Sequence, residues 1–477
     1  MTTLNEAVSL GPLLTEEQAR AIFSQGEEAV VFALLSQAKM LAEQQAARAG
    51  DSHQTPSTPS GMKPPYQKPA ACARGKKKPG RKPGHPGSRR EAPARIDRQV
   101  EHRAEACPEC GGARNYCAET RTRYVEDIPE DIKPEVTEHT IHRAWCPRCK
   151  KKVEPIVAEA LPNATLGNRV LVLSAWLHYA LGNTLSQIVE VFNFHLSFKV
   201  TPGGLLQMWR RLSEIMEAWY EDIHAQALDS AVLHADETGW RVNGKTHWLW
   251  CFATDELSWF MIDRSRGRPA LMQFFTDEFA GTLVSDFWAA YNAVECAFRQ
   301  KCLVHLLREL EHVERYKSPG PHWPAFAKKL RRLLADARRL WRRREELDGE
   351  TYASRRACLA RRLEELIDTP WEDSQAHRLI KRFRRHRDEM FTFLDQKHVP
   401  FDNNLAERSI RPAVILRKNT LGNRSNQGAH TQAVLMSIFA TLKKRGHNPV
   451  RTVCEAMAAY LKTGQMPPLP DKLPSGG

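Results

Sequence analysis

Three acidic residues in three separate settings constrain this chain most. Asp236 follows the apolar run AVLHA, Asp286 follows GTLVS, and Glu407 sits inside PFDNNLAERSIR. The first two settings read as strands that end in a carboxylate. The third reads as a helix whose first turns, after the capping types Asp402 to Asn404, offer a glutamate at a fixed angle. An apolar run followed by Asp arises by chance in many strands, and each acid could instead cap a helix or meet an arginine. Brought together, the three can hold two divalent metal ions for phosphodiester chemistry, with Asp236 bridging both, Asp286 on one and Glu407 on the other. Hard cations such as magnesium take oxygen ligands and keep several waters, so three carboxylates suffice.

The surroundings of these acids predict a mixed α/β core. Short β-like runs fall at Ala231 to Asp236, His247 to Ala253, Trp259 to Ile262 and Thr282 to Asp286, with a turn signal at Val242-Asn243-Gly244-Lys245 and an arginine-rich break around Arg264 to Arg268. Cys302 to Leu307 is a fifth strand or the start of a helix. Three hairpin-linked strands, a helix near Arg268 to Asp277, and then a strand with an acidic end is the order of a ribonuclease-H-like core. From Trp323 to Phe393 the chain is helical and crowded with charge, as in ADARRLWRRREEL, and reads as an insertion between the second and third acids. The core thus spans 225–322 and 399–465, the helical insertion 323–398 and a tail 466–477.

At 477 residues the chain calls for two to four domains, and a formal charge of +14 is the footprint of a phosphate-backbone binder, although a merely basic soluble protein shows the same surplus. An amphipathic helix with a capping-box pattern at Thr15 and Gln18 occupies 1–50, interrupted at Gly26 or continuous, and either pairs with a second copy as a short coiled coil or docks on its own chain. Residues 51–98 are rich in Pro, Gly, Ser, Lys and Arg and read as disordered. Their basic centre, Lys76, Lys77, Lys78, Arg81 and Lys82, is a solvated linker or a segment that lies in a DNA groove. Within 99–160, CPEC and CPRC place Cys107, Cys110, Cys146 and Cys149 where a structural, non-catalytic zinc ion wants four thiolates. The long span between these knuckles exceeds the usual ribbon spacing, and Cys117 is an alternative ligand.

Residues 161–224 read as helices from about Arg169 to Leu181, from beyond Asn183, and from a Thr201 N-cap with Pro202 in the first turn. This is a helix-turn-helix, with Gln207, Arg210 and Arg211 on a recognition helix, or a plain bundle packed on the next domain. Arg408 and Arg411, after Glu407, suit phosphate contact or pairing with nearby acids. Cys302 and His305 stand in Cys-x-x-His spacing. Without two further ligands to name, Cys302 reads as core and His305 as hydrogen-bonded or phosphate-facing. Trp240, Trp248, Trp250, Trp259 and Trp288 read mostly as core, with a base-stacking role open to the one near Asp286. Eleven cysteines and a start lacking a basic n-region and apolar core point to the reducing cytoplasm, and no run is expected to span a membrane.

HADETGW, SDFWAAY, CLVHLLREL and PFDNNLAERSIRP, together with LGNRSNQGAHTQAVLMSIFATLKKRGHNP and the double CPxC module, resemble the large transposase of the insertion sequence sixty-six family over nearly the whole chain. The resemblance implies a DDE transposase with a ribonuclease-H-like core, Asp236, Asp286 and Glu407 as catalytic acids, and dependence on magnesium or manganese. It further implies recognition of the terminal inverted repeats of its element, strand transfer into target DNA by a freed 3′-hydroxyl, a homo-oligomer in the bacterial cytoplasm at the nucleoid, and two small accessory proteins. Two rival readings stay open, a non-catalytic sequence-specific DNA-binding protein and a structure-specific nuclease without strand transfer. The repeat sequence, the target preference and the cut-and-paste or replicative pathway are not legible in the chain.

Overall fold

The computed structural model describes residues 93–474 apart from 103–105, 107–109, 114–120, 130–131 and 318, together with a few residues between 20 and 31. Most of the expected N-terminal helix, the basic centre with Lys76, Lys77, Lys78, Arg81 and Lys82, and the thiols Cys107 and Cys117 lie outside the described residues. Helical backbone at Ile22 and Phe23 breaks at Gly26, whose φ of 101° is left-handed, and resumes at Glu27, so the helix is interrupted there.

The chain divides into two compact units, 65–155 with 185–206, and 1–64 with 156–184 and 207–477. In the smaller unit, β1 (Ala144–Cys146) and β2 (Lys151–Val153) form an antiparallel hairpin around the CPRC turn. The Cys149 amide donates to Cys146 Sγ at 3.4 Å, as a metal-binding knuckle does. Four helices follow β2 in the chain: α1 (Asn168–Tyr179), α2 (Leu185–Glu190), α3 (Pro202–Ile215) and α4 (Glu217–Leu228). After α2 a π-helical turn, Val191–His195, buries Phe192 against Phe198, and the Asn193 side chain closes the loop by bonding both backbone groups of Val200. The expected Thr201 cap is present, its Oγ1 accepting from Gly204 N.

The larger unit is built on a five-stranded mixed sheet in the order β5-β4-β3-β6-β7. Here β3 is Val232–Val242, β4 Lys245–Ala253 and β5 Ser258–Asp263, all antiparallel, while β6 (Phe279–Ser285) and β7 (Cys296–Lys301) run parallel to β3. Asn243 and Gly244, with φ of 48° and 71°, make the tight β3–β4 turn that two positive-φ residues favour. Between β5 and β6 lies α5, Arg268–Phe274, shorter than expected. One further expectation needs correction. β3 does not end at Asp236 but continues six residues further, because β4 pairs along its whole length and the buried Glu237 finds partners. Of the two readings of Cys302 to Leu307, the helix start is the one seen, and the fifth strand is β7, polar and only partly buried.

That helix is α6 (Leu303–Tyr316), and α7 (Trp323–Arg342), α8 (Gly349–Asp368) and α9 (Ser374–Arg385) follow within 323–398, where the helical insertion is expected; their apolar stripes share one buried cluster that includes Trp323, Phe326, Leu330, Leu363 and Phe383. Asp348 and Asp373 cap α8 and α9. A short turn, α10 (Thr392–Asp395), leads to three C-terminal helices, α11 (Asn404–Thr420), α12 (Asn426–Lys444) and α13 (Pro449–Thr463). α11 lies on β3 and β4, and α12 on β5. Ser437 and Thr441 of α12 accept the amides of Phe260 and Ser258, so the open edge of β5 is satisfied by side chains. Trp209 of α3 donates to Ser174 of α1 at 2.9 Å, which ties these helices into the same core. At Gly422, φ 124°, any side chain would meet the Arg241 carbonyl, and the loop there pairs with the end of β3.

Candidate active site

β3 and β6 pair as Val232↔Thr282, Leu233↔Leu283 and His234↔Val284. Continuing that register by two residues sets Asp236 level with Asp286, which stands one residue beyond β6. Neighbouring strands lie about 4.8 Å apart, so the two aspartates are brought side by side by the sheet itself. Glu407 arrives from the first turn of α11, whose start is pinned to the same place by the fully buried Asn403. Asn403 Nδ2 donates to Ala235 O at 2.8 Å, its Oδ1 meets His234 Nδ1 at 3.0 Å, and its amide donates to Cys302 Sγ at 3.2 Å. Asn403 therefore spends its side chain on the strand and not on capping, and Asp402 Oδ1 takes the Asn404 amide instead.

The carboxylates live in different fields. Burial and the negative charges of Glu237, Asp286 and Glu407 hold Asp236 well above the usual carboxylate range. Asp286, 4% exposed, is also raised by burial, but the Trp288 amide at 2.8 Å and the cations Lys301, Arg266 and Arg382 work against that rise. Lys301 is fully buried, bonds Ser285 Oγ at 3.2 Å and lies 3.8 Å from Glu389. Glu407 meets Arg308 in a two-pronged pair, 3.0 and 2.9 Å, and stands 3.8 Å from His305 Nε2. Behind the aspartates, burial lifts the carboxyl of Glu237 to about 7 against the pull of Arg266 and Tyr291, both bonded to it.

The structure settles several expectations about individual side chains. Arg266 is sandwiched between Trp248 and Trp288, its guanidinium 4.3 and 3.9 Å from the ring centres, so Trp288 offers that face to an arginine and not to a base. Trp240, Trp250 and Trp259 are buried, as expected of core residues. Cys302 is fully buried, whereas His305 faces Glu407 and its Nδ1 is buried without a partner. Gln207 is exposed, Arg210 pairs with Glu214, Arg211 donates to Pro162 O, and Arg408 and Arg411 lie exposed on α11. Cys110, Cys146 and Cys149 are free thiols, and backbone hydrogen bonds within the CPRC turn lower the pKa of Cys146. Among the described residues, the group of three metal-ligating side chains with closely spaced donor atoms is Cys302, His305 and Glu407, because Glu407 is turned toward Arg308 and His305. Also among the described residues, no helix is long and apolar enough to cross a membrane.

Glu237, Arg266, Lys301, Arg308 and Arg382 carry no role in the sequence reading, and Asn403 carries only that of a helix cap. One signal was available for Arg308, which falls three residues after His305 and therefore on the same face of an N-terminal helical turn. The others depend on long-range packing.

The family described as Transposase IS66 family matches residues 163–431, more than half of the chain, and the zinc-finger binding domain of transposase IS66 matches residues 104–150. The chain belongs to the IS66 transposase family, and the second match supports structural zinc in the cysteine module. It is similar to two proteins of Sinorhizobium fredii (strain NBRC 101917 / NGR234). Uncharacterized protein y4qI is 23% identical over 240 residues, 44% of this chain and 43% of that protein. Uncharacterized protein y4jD is 24% identical over 408 residues, 76% of each. The chain thus spans under half the length of the first relative and about three quarters of the second.

Proposed function

We propose that this protein is a DDE transposase that cleaves DNA at the ends of its element and joins the freed 3′ end to a target duplex, with Asp236, Asp286 and Glu407 as its catalytic acids. The observation that supports the reading is the geometry: the β3–β6 register sets Asp236 level with Asp286, and Asn403 ties the start of the Glu407 helix to Ala235 of the same strand. The strand order, three antiparallel strands followed by two parallel ones with an acid on the first and after the fourth, supports a ribonuclease-H-like core.

The donor set fits magnesium or manganese: three hard oxygen ligands, of which Asp236 is lifted by burial and by the charges of Glu237, Asp286 and Glu407, are stabilised by cations. When bound, a pair of such ions activates the attacking water or 3′-hydroxyl and stabilises the leaving oxygen. The chain's own residues set the geometry. The Trp288 amide holds one oxygen of Asp286, Lys301 and Ser285 fix the strand end beside it, and Asn403 sets the angle at which α11 presents Glu407. Arg408 and Arg411, exposed on that helix, face solvent where a phosphate backbone can be met, and the net charge of +14 favours DNA as the partner. The zinc module and the α1–α3 region serve recognition of the element ends.

The test is cleavage of a labelled element-end duplex with magnesium present. Asp236→Ala and Glu407→Ala are expected to reduce cutting to background while the fold persists. Unchanged cutting in both variants overturns the assignment, and cutting without joining to a target reassigns the protein as a nuclease.

A further inference from the structure

Cys302, His305 and Glu407 come from two elements and meet in a way that core packing alone does not explain. Cys302 is the residue before α6, fully buried, and its sulfur accepts the Asn403 amide at 3.2 Å. Burial pushes the Cys302 thiol up to about 12, against the smaller pull of the backbone donors at the helix start, so the metal-free site holds a thiol. His305 follows one turn later on the same face, and Glu407 enters from α11. One donor atom from each lies within 4.8 Å of the others. His305 Nε2 is 3.8 Å from Glu407 Oε1, and neither ring nitrogen is held by a hydrogen bond, Nδ1 being buried without a partner, so the imidazole is free to turn a nitrogen to a cation.

We propose that Cys302, His305 and Glu407 form a second cation site, selective for a thiophilic divalent ion of the zinc class, that shares Glu407 with the acidic site. One sulfur, one imidazole nitrogen and one carboxylate oxygen suit zinc and disfavour magnesium, which takes oxygen donors. Three protein ligands leave a fourth position for water. Binding sends the thiol proton to solvent and displaces Arg308, whose guanidinium holds both oxygens of Glu407 in the cation-free chain. Arg308 is therefore a competitor for the site. Resting on the function proposed above is one consequence: Glu407 cannot serve both sites, so zinc bound here inhibits the magnesium-dependent reaction.

The experiment is zinc titration of the full chain, with bound ions counted by native mass spectrometry and folding followed by circular dichroism. Wild type is expected to take one more zinc ion per chain than Cys302→Ser or His305→Gln, beyond the ion of the cysteine module. Arg308→Gln is expected to keep that extra ion and bind it roughly tenfold more tightly, an effect that disturbed packing would not produce. If Cys302→Ser fails to fold, His305→Gln carries the comparison. Equal zinc counts in wild type and His305→Gln, or weaker binding in Arg308→Gln, overturn the proposal. An extra zinc ion in a wild-type chain that cuts no DNA leaves this site standing and overturns the catalytic reading instead.

Discussion

Asp286 and Glu407, two of the three acids proposed as catalytic, are held by opposite means. Asp286 is buried, takes a backbone amide from Trp288, and has Lys301, fully enclosed, and Arg266, wedged between two tryptophans, nearby. Glu407 is 26% exposed, and both its oxygens go to an arginine whose side chain is 51% exposed. The first side is set when the core folds. The second is set by an ion pair that solvent screens and that a cation can replace. On the proposed function, the aspartates are the part positioned without metal, and the glutamate is the part that responds to what binds.

That contrast can be broken at either end. Lys301→Met leaves Glu389 and Asp286 without their enclosed cation and is expected to cost about 3–5 kcal/mol in urea unfolding. A loss near zero would mean that the aspartate side is not held by the core. Arg266→Lys keeps the charge but loses the planar fork on Glu237 and the fit between Trp248 and Trp288. About 1–3 kcal/mol of stability should go, with a higher magnesium requirement for cleavage. Glu237 adds a pH signature. Its carboxyl is lifted from 4.5 to about 7, so the folded chain keeps a proton there that the unfolded chain has released. Its contribution is present at low pH and is lost as pH rises from about 4.5 to about 7, with a slope no steeper than about 1.4 kcal/mol per pH unit in metal-free thermal unfolding. Glu237→Gln should flatten that slope. Arg308→Gln is expected to change stability least, by less than about 1 kcal/mol, because the pair is half exposed. A large loss there would place Arg308 with the aspartate side.

How much of this was legible before folding follows the same division. The periodicity marked β4, β5 and β6, the helical insertion and the Thr201 cap, because alternation and capping are local signals. It stopped β3 at Asp236, since ADETG looks like a strand terminus until Arg266 and Tyr291 are known to neutralise Glu237. β7 was overlooked, as a half-exposed, polar outer strand carries little apolar pattern. The acids themselves stood out by context, whereas Lys301, Arg266 and Asn403 act through contacts with residues far away in sequence that no window of sequence contains. Asn403 reads as a helix cap, and its type is right for one; the strand beside it claims the side chain.

The most direct measurement replaces magnesium by ferrous iron and maps hydroxyl-radical cutting of the polypeptide itself. Cuts clustered near residues 236, 286 and 407, all suppressed together by excess magnesium, are the expected result. Cuts near 407 that magnesium leaves untouched, with none at the two aspartates, would contradict the claim that the three carboxylates form one cation-binding centre.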